Sequence, residues 1–269
     1  MIEALEYLLV ILFSTSFASF YTTLGYRLVL YFYGKKRKNL KLVKKWNYIL
    51  TKPSHCQSCE VDIQPVYLIP IFGYFLSGRK CNHCSTKIPI FYVLPEILFP
   101  IFALFLYKIT NDLLYTLLII IFFGHLTIVF ITDYKKYIID YENIPFLLFF
   151  PILAEYIHSG KLPDSESVFI FVILFIVFFL ISIFSNGGFG FGDVWLISLL
   201  SALLGHPYWI FFFNLTFLSS LFFSFIFRTK SKSFLKQKIP LGVYMSGSMM
   251  ISYLVKIYIS NDNFFIIYE

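Results

Sequence analysis

The sequence predicts an all-α, polytopic integral membrane helix bundle of about eight spans with one large basic loop. Three observations predict it. Hydrophobic residues make up 58% of the 269 positions and charged residues only 14%, with a mean hydropathy of +0.76. That balance excludes an ordinary soluble domain. Runs such as "SVFIFVILFIVFFLISIF" (167–184) approach the length that crosses a bilayer. The basic residues are gathered in a few stretches between such runs.

The expected spans are 4–33, 90–107, 112–132, 144–158, 167–185, 193–208, 209–227 and 239–260, of which 144–158 and 193–208 are short. The first begins "MIEALEYLLV", without a basic leader or a small-residue cleavage pattern, and reads as a retained span. The loop 34–89 carries Lys35, Lys36, Arg37, Lys38, Lys41, Lys44, Lys45, Lys52, Arg79, Lys80 and Lys87. Alternating from there, Lys135 and Lys136 fall on the same side, as do Arg228, Lys230, Lys232, Lys236 and Lys238, with Arg27 at the inner end of the first span. Of the 22 basic residues only Lys108, Lys161 and Lys256 lie elsewhere. The positive-inside rule then puts this face in the cytoplasm and both termini outside. The net charge of +7 is thereby accounted for by a face that attracts anionic lipid, with no nucleic-acid partner.

All four cysteines lie in the large loop, as "HCQSCE" (Cys56, Cys59) and "KCNHCS" (Cys81, Cys84). Two CxxC knuckles match the tetrahedral demand of Zn²⁺, and four protein ligands leave no open position, so the expected metal is structural. Disulfides or free thiols are the alternatives, and a reducing cytoplasm disfavours disulfides. His55 and His83 flank the knuckles and read more simply as surface histidines.

An ionisable residue inside a span costs roughly 2.5–3.5 kcal/mol on insertion scales, so each needs a reason. Asp133 ends the third expected span and Asp193 begins the sixth, at the same depth on the same face. Two carboxylates brought together share a proton, so that one can activate water while the other protonates a leaving group. The alternative is a pair of helix-end acids, Asp193 being favourable at a helix N-terminus. Glu96 and Glu155 interrupt the second and fourth spans; Glu96 suits a structural role, and Asp140 reads as a solvated loop acid. The stretch "NGGFGFGD" (186–193) precedes Asp193. It is no phosphate loop, because it lacks GxGxxG spacing and a βαβ context and exits on an acid. Gly188, Gly190 and Gly192 instead allow unusual backbone angles or the close approach of a substrate strand, with a hinge as the alternative.

The residues in this order resemble the prepilin peptidases, GxGD-type intramembrane aspartic proteases that process type IV pilin and related precursors. The resemblance rests on "ASFYTTLGYRL" (18–28), the knuckle loop 54–84 with its central Ile-Pro, "YVLPEIL" (92–98), "ITDYKKYII" (131–139), "GFGFGD" (188–193) and "KIPLGVYMSG" (238–247). Thr22 and Leu68 stand where the family carries asparagines, Val29 where it has proline, "DY" (Asp140, Tyr141) where it has Pro-Asp or Pro-Asn, and Trp195 where a lysine is common.

The resemblance implies a methyltransferase-like half over 1–109 and a membrane aspartic peptidase domain over 110–269. It implies an inner-membrane endopeptidase, with Asp133 and Asp193 as catalytic residues and Cys56, Cys59, Cys81 and Cys84 as zinc ligands on the cytoplasmic side. The expected partners are prepilin or pseudopilin precursors and the lipid bilayer. Methylation of the new N-terminus with S-adenosylmethionine is a further implication. A non-catalytic zinc-knuckle protein that organises a pilus or secretion assembly is the alternative. A transporter ranks lower, since the acids sit at an interface and not at mid-bilayer.

Overall fold

The computed structural model describes residues 2–34, 41–185, 188–226 and 238–266. Lys35, Lys36, Arg37, Lys38, Arg228, Lys230, Lys232 and Lys236 of the basic face lie outside the described residues. Among the described residues the chain is all helical, without a named strand. Five helical stretches are long and apolar enough to cross a membrane: Glu3–Tyr31, Ile90–Thr110, Leu113–Lys136, Ser165–Phe184 and Tyr208–Ile226. The chain separates into two compact units, Met1–Lys108 and Ile109–Glu269.

In the first unit, α1 (Ile2–Tyr31) meets α2 (Leu42–Thr51) through the residues around "YRL". Arg27 donates to the Ile49 carbonyl (2.5 Å) and to Ser54 Oγ (3.3 Å). A guanidinium there answers carbonyls that the end of α2 leaves open. Tyr26 stacks on Tyr92 at 4.3 Å, and Leu28 is fully buried. Lys45 is buried on α2 with its ammonium 4.8 Å from the Phe32 ring and 5.6 Å from the Trp46 ring, a cation–π setting that offsets its desolvation.

Between the knuckles, a 3-10 turn (Pro65–Leu68) leads into α3 (Phe72–Leu76). They are joined by a γ-turn in which Phe72 N–H donates to the Pro70 carbonyl (2.7 Å). Its central residue, Ile71, has φ 63° and ψ −59°. This turn is rare, and for a β-branched residue it stores about 1–3 kcal/mol of strain. The turn aims the Ile71 N–H at Glu96 Oε2, 2.6 Å away on α4 (Leu94–Thr110). Gly73 is required because a side chain would lie 2.1 Å from the Tyr67 carbonyl.

The second unit is built around α5 (Leu113–Lys136). In its most apolar window 78% is buried, against 17% for α7 (Ser165–Phe184) and 22% for α9 (Tyr208–Ile226). So α5 is the core helix, and α7 and α9 turn much of their surface to lipid. Against it pack α6 (Ile144–Ser159) and α10 (Leu241–Ile266), and α8 (Phe191–Leu204) packs in turn on α6, α7, α9 and α10. The expected sixth span, 193–208, ends four residues early at Leu204, where Gly205 adopts φ +70°. Thr216, Ser220 and Ser224 recur every fourth residue as buried positions on α9, and small residues of this kind let membrane helices pack closely.

Glu155 ties four helices together. Its Oε1 accepts from Tyr115 Oη (3.2 Å, α5) and Tyr253 Oη (3.0 Å, α10), with Lys256 Nζ at 3.9 Å. Lys256 also donates to the Leu203 carbonyl at the end of α8 (3.1 Å). Tyr115 lies about 27 Å from Asp133 along α5 at roughly 1.5 Å per residue, so this knot sits at the opposite end of the bundle from the aspartates. Glu155→Leu removes the acceptor shared by two tyrosine hydroxyls and the counter-charge of Lys256, which keeps the Leu203 carbonyl. The expected loss is about 2–4 kcal/mol by denaturant unfolding in detergent, with Glu155→Gln milder because an amide oxygen still accepts.

Candidate active site

Three helix ends converge on the two aspartates: the C-terminal turn of α5 and the N-terminal turns of α8 and α10. Asp133 is buried in the last turn of α5. Its Oδ2 accepts from Val243 N–H on the first turn of α10 (3.3 Å), and the neighbouring Gly242 amide also donates to it. Asp193 lies in the first turn of α8 and accepts from the Gly190 amide. Each carboxylate thus faces the positive end of a helix dipole. The two are close enough for the charge on Asp133 to act directly on Asp193. Asp193 is therefore a helix-end acid as well as half of a carboxylate pair, and the two expectations coexist.

Glycine is needed at this convergence for a packing reason. A Cβ on Gly242 would stand 3.0 Å from Asp133 Oδ2 and 3.2 Å from its Cγ. One on Gly190 would stand 2.9 Å from Asp193 Oδ2, and one on Gly192 would stand 3.1 Å from Ile139 Cβ. At 190 and 192 the space a side chain would fill is thus occupied by the chain's own carboxylate and by Ile139. Gly188 and Gly190 remain exposed, with their backbone open on the outer side. Trp195 packs in an aromatic cluster with Phe171, Phe175 and Phe191, its ring centroid 4.9 Å from that of Phe175. It lies about 200° around α8 from Asp193, on the side that faces α7.

Asp140 is a correction. Expected as a solvated loop acid, it is 2% exposed, and its Oδ1 accepts from the Glu142 amide (3.0 Å) at the start of a 3-10 turn. A second anchor holds the same loop. His125 Nδ1 lies 2.6 Å from Asn143 Oδ1, and Asn143 Nδ2 donates to the His125 carbonyl (2.9 Å). The imidazole is stacked against both Phe146 and Phe150, at 5.0 and 5.5 Å. This clamp holds the loop that carries Ile139 and Asp140 back against α5, with Ile139 against Gly192. Sequence reading passed over it, although a histidine inside the apolar run "FFGHLTIVF" was a visible signal. It also left the "PLGV" backbone without a role, because main-chain donors leave no mark on residue type.

In the first unit the knuckles are built alike, 25 residues apart. Cys56 N–H donates to the Val61 carbonyl and Cys81 N–H to the Thr86 carbonyl, each at 2.9 Å. Glu60 and Ser85 take matching positive φ values, 60° and 58°. The bridges His55–Asp62 and Lys80–Lys87 close the two turns. The four sulfurs lie within 4.8 Å of one another, with Cys56–Cys84 at 3.7 Å and Cys59–Cys81 at 3.8 Å. A tetrahedral thiolate site with arms of about 2.3 Å has edges of about 3.8 Å, so the group fits a metal ion such as zinc. Thr86 Oγ1 is 3.2 Å from Cys84 Sγ. Hydrogen bonds from the Thr86 hydroxyl and amide pull the Cys84 thiol down to about 6, which favours the thiolate a metal requires. The His55 ring is engaged by Tyr31 Oη (2.8 Å) and the Pro53 carbonyl (3.0 Å), as a structural histidine.

The same unit holds a cavity of about 620 Å³, walled by Thr22, Tyr26, Arg27, Leu68, Tyr92 and Glu96 among others. Thr22 Oγ1 is buried there without a hydrogen-bond partner.

Comparison with known proteins agrees with this layout. The profile of the Bacterial Peptidase A24 N-terminal domain matches residues 12–109, and that of the Type IV leader peptidase family matches residues 120–225. The prepilin leader peptidase/N-methyltransferase of Vibrio cholerae serotype O1 is 27% identical over 266 residues, covering 93% of this chain and 97% of that relative. No solved structure matches. With the two profiles following one another along most of its length, the chain belongs to the type IV leader peptidase family.

Proposed function

We propose that this protein is a membrane endopeptidase that removes the short basic leader of type IV prepilin-like precursors at the cytoplasmic face, with Asp133 and Asp193 as its catalytic pair. The observation that carries the proposal is the meeting of these two carboxylates at three helix ends, each held by a main-chain amide. Such a pair shares one proton. The charged member takes a proton from water as its oxygen bonds to the scissile carbonyl carbon. The protonated member first donates to the carbonyl oxygen; the C–N bond then breaks as the leaving amine takes up a proton. The exposed backbone at Gly188 and Gly190 offers an extended leader a place beside Asp193. Anionic headgroups attract basic segments, so a basic leader is expected to approach along the lipid surface.

Cys56, Cys59, Cys81 and Cys84 would hold a structural Zn²⁺ that joins the two knuckles. The cavity in the first unit would hold S-adenosylmethionine, which when bound supplies an electrophilic methyl group. The stacked Tyr26 and Tyr92 form an aromatic wall, Glu96 offers a carboxylate, and the orphan Thr22 hydroxyl a polar partner. Two of the departures from the family pattern, Thr22 and Leu68, both line this cavity. Methylation is therefore proposed as the second activity, and cleavage as the first.

Asp133→Asn and Asp193→Asn are each expected to abolish cleavage of a co-expressed prepilin reporter, read by mass spectrometry of its N-terminus, which also reports any methyl group; full processing by either variant overturns the mechanism. Gly242→Ala pushes a methyl group against the Asp133 carboxylate. It is expected to lower kcat by about 10–100-fold with little change in KM, since small misplacements of a reacting group cost on that order. The zinc expectation is checked by metal analysis across pH. Acid protonates the thiolates that a metal requires, with the lowered Cys84 thiol the readiest of them to stay ionised, so metal content should hold at neutral pH and fall as the buffer is made acidic.

A further inference from the structure

The segment between the knuckles carries an apolar face that the reaction does not use. On α3, Phe72, Phe75 and Leu76 are 67%, 53% and 61% exposed, and Val66, Leu68 and Ile69 just before it are exposed as well. The opposite side of α3 is committed inward: Gly73 is buried against Tyr67, and Tyr74 and Ser77 line the cavity. The face is thus directional on a rigid element and not a loosely splayed loop.

Two observations say what covers it. The first is depth. The strained turn at Ile71 is fastened to Glu96 by a 2.6 Å hydrogen bond. Glu96 lies six residues inside the membrane-crossing stretch Ile90–Thr110. The α4 residues around it, Leu94, Ile97, Leu98 and Ile101, are themselves exposed apolar side chains that face acyl chains. A segment tied to that level meets the same medium. The second is charge. Arg79 and Lys80 follow α3 directly. The Arg79 guanidinium lies 5.6 Å from the Phe75 ring, with its stem along the apolar surface and its head free to reach phosphate, as cationic side chains do at a membrane interface.

We infer that residues 65–76 form a re-entrant segment whose Phe72, Phe75 and Leu76 are embedded in the lipid leaflet beside α4, with Arg79 and Lys80 on anionic headgroups. The occupant of this face is the bilayer itself. The segment then does two things. It fixes the knuckle pair to the membrane surface at a second point besides α1 and α4, and it holds one wall of the cavity at the level where a substrate's apolar helix leaves the bilayer. Glu96 is the latch: without its carboxylate nothing offsets the strain at Ile71, and the face is released from its depth. The inference is independent of the two-aspartate reading.

The test uses the full chain in nanodiscs of phosphatidylethanolamine and phosphatidylglycerol. Trp46, Trp195 and Trp209 are replaced by phenylalanine, and a single tryptophan is introduced as Phe75→Trp or, at the exposed knuckle tip, as Ser58→Trp. Lipids brominated in the upper acyl chain should quench the Phe75→Trp emission by about twofold, the contact expected of a side chain buried to interfacial depth, and leave Ser58→Trp unchanged. Adding Glu96→Leu, which removes the acceptor for the Ile71 N–H, should weaken the quenching at position 75. Equal quenching at both positions, or none at 75, overturns the inference. Retained zinc reports that the variants fold. Should Phe75→Trp lose zinc, a benzoylphenylalanine photocrosslinker at Phe72 in the otherwise native chain gives the second reading. Lipid adducts support the inference. Adducts only to a co-expressed precursor or to protein, or no adducts, overturn it.

Discussion

Every carboxylate that these helices carry into an apolar setting must be met by a donor, because burying an unanswered charge costs more than the fold can supply. Except at Asp193, the donors come from far along the chain. Glu96 is answered by the Ile71 amide, Asp133 by α10 amides, Asp193 by the Gly190 amide, and Glu155 by two tyrosines from α5 and α10. These bonds decide which helices lie side by side. Apolar packing in a bilayer selects weakly among partners, since lipid tails are as apolar as leucine. Polar bonds and small-residue stripes therefore set the arrangement, and the long phenylalanine-rich faces merely accept it.

The same constraint is met in two different ways within the second unit. At one end, Glu155, Tyr115, Tyr253 and Lys256 form a fully answered knot that binds four helices. At the other end, two acids are set close together and answered only by main-chain amides. Main-chain donors hold a carboxylate in position without adding a positive side chain, so the charge on Asp133 still acts on Asp193. A lysine or arginine in either place would have satisfied the charge and removed that effect. The bundle is tied by side chains at one end and by main-chain amides at the other.

Much of this was legible in the sequence. Composition and the placement of lysines specified a helical membrane protein, because bilayer thickness and backbone hydrogen bonding leave few alternatives. The cysteine spacing singled out the four thiols that the fold brings together, because a CxxC turn brings its two sulfurs together locally and only the meeting of the two knuckles is non-local. The two aspartates could be singled out because an acid beside an apolar run is expensive. Asp140 was misjudged for the complementary reason. An acid in a short loop looks solvated until the loop is seen folded back by the His125–Asn143 clamp, a contact across 18 residues.

The sequence by itself therefore determined the class of fold and marked out the acids and cysteines that stand apart in it, since these follow from local periodicity, from spacing and from the cost of charge in lipid. The tertiary structure decided what answers each acid. Amide donors have no side chain to announce them, so the roles of Gly242, Val243 and Ile71 appear only when α10 is laid against α5 and the turn before α3 against α4. The glycines of "GFGFGD" show the same division. Their spacing marks a place where something must come close, and only the folded chain shows that at Gly190 and Gly192 the close partners are Asp193's own carboxylate and Ile139.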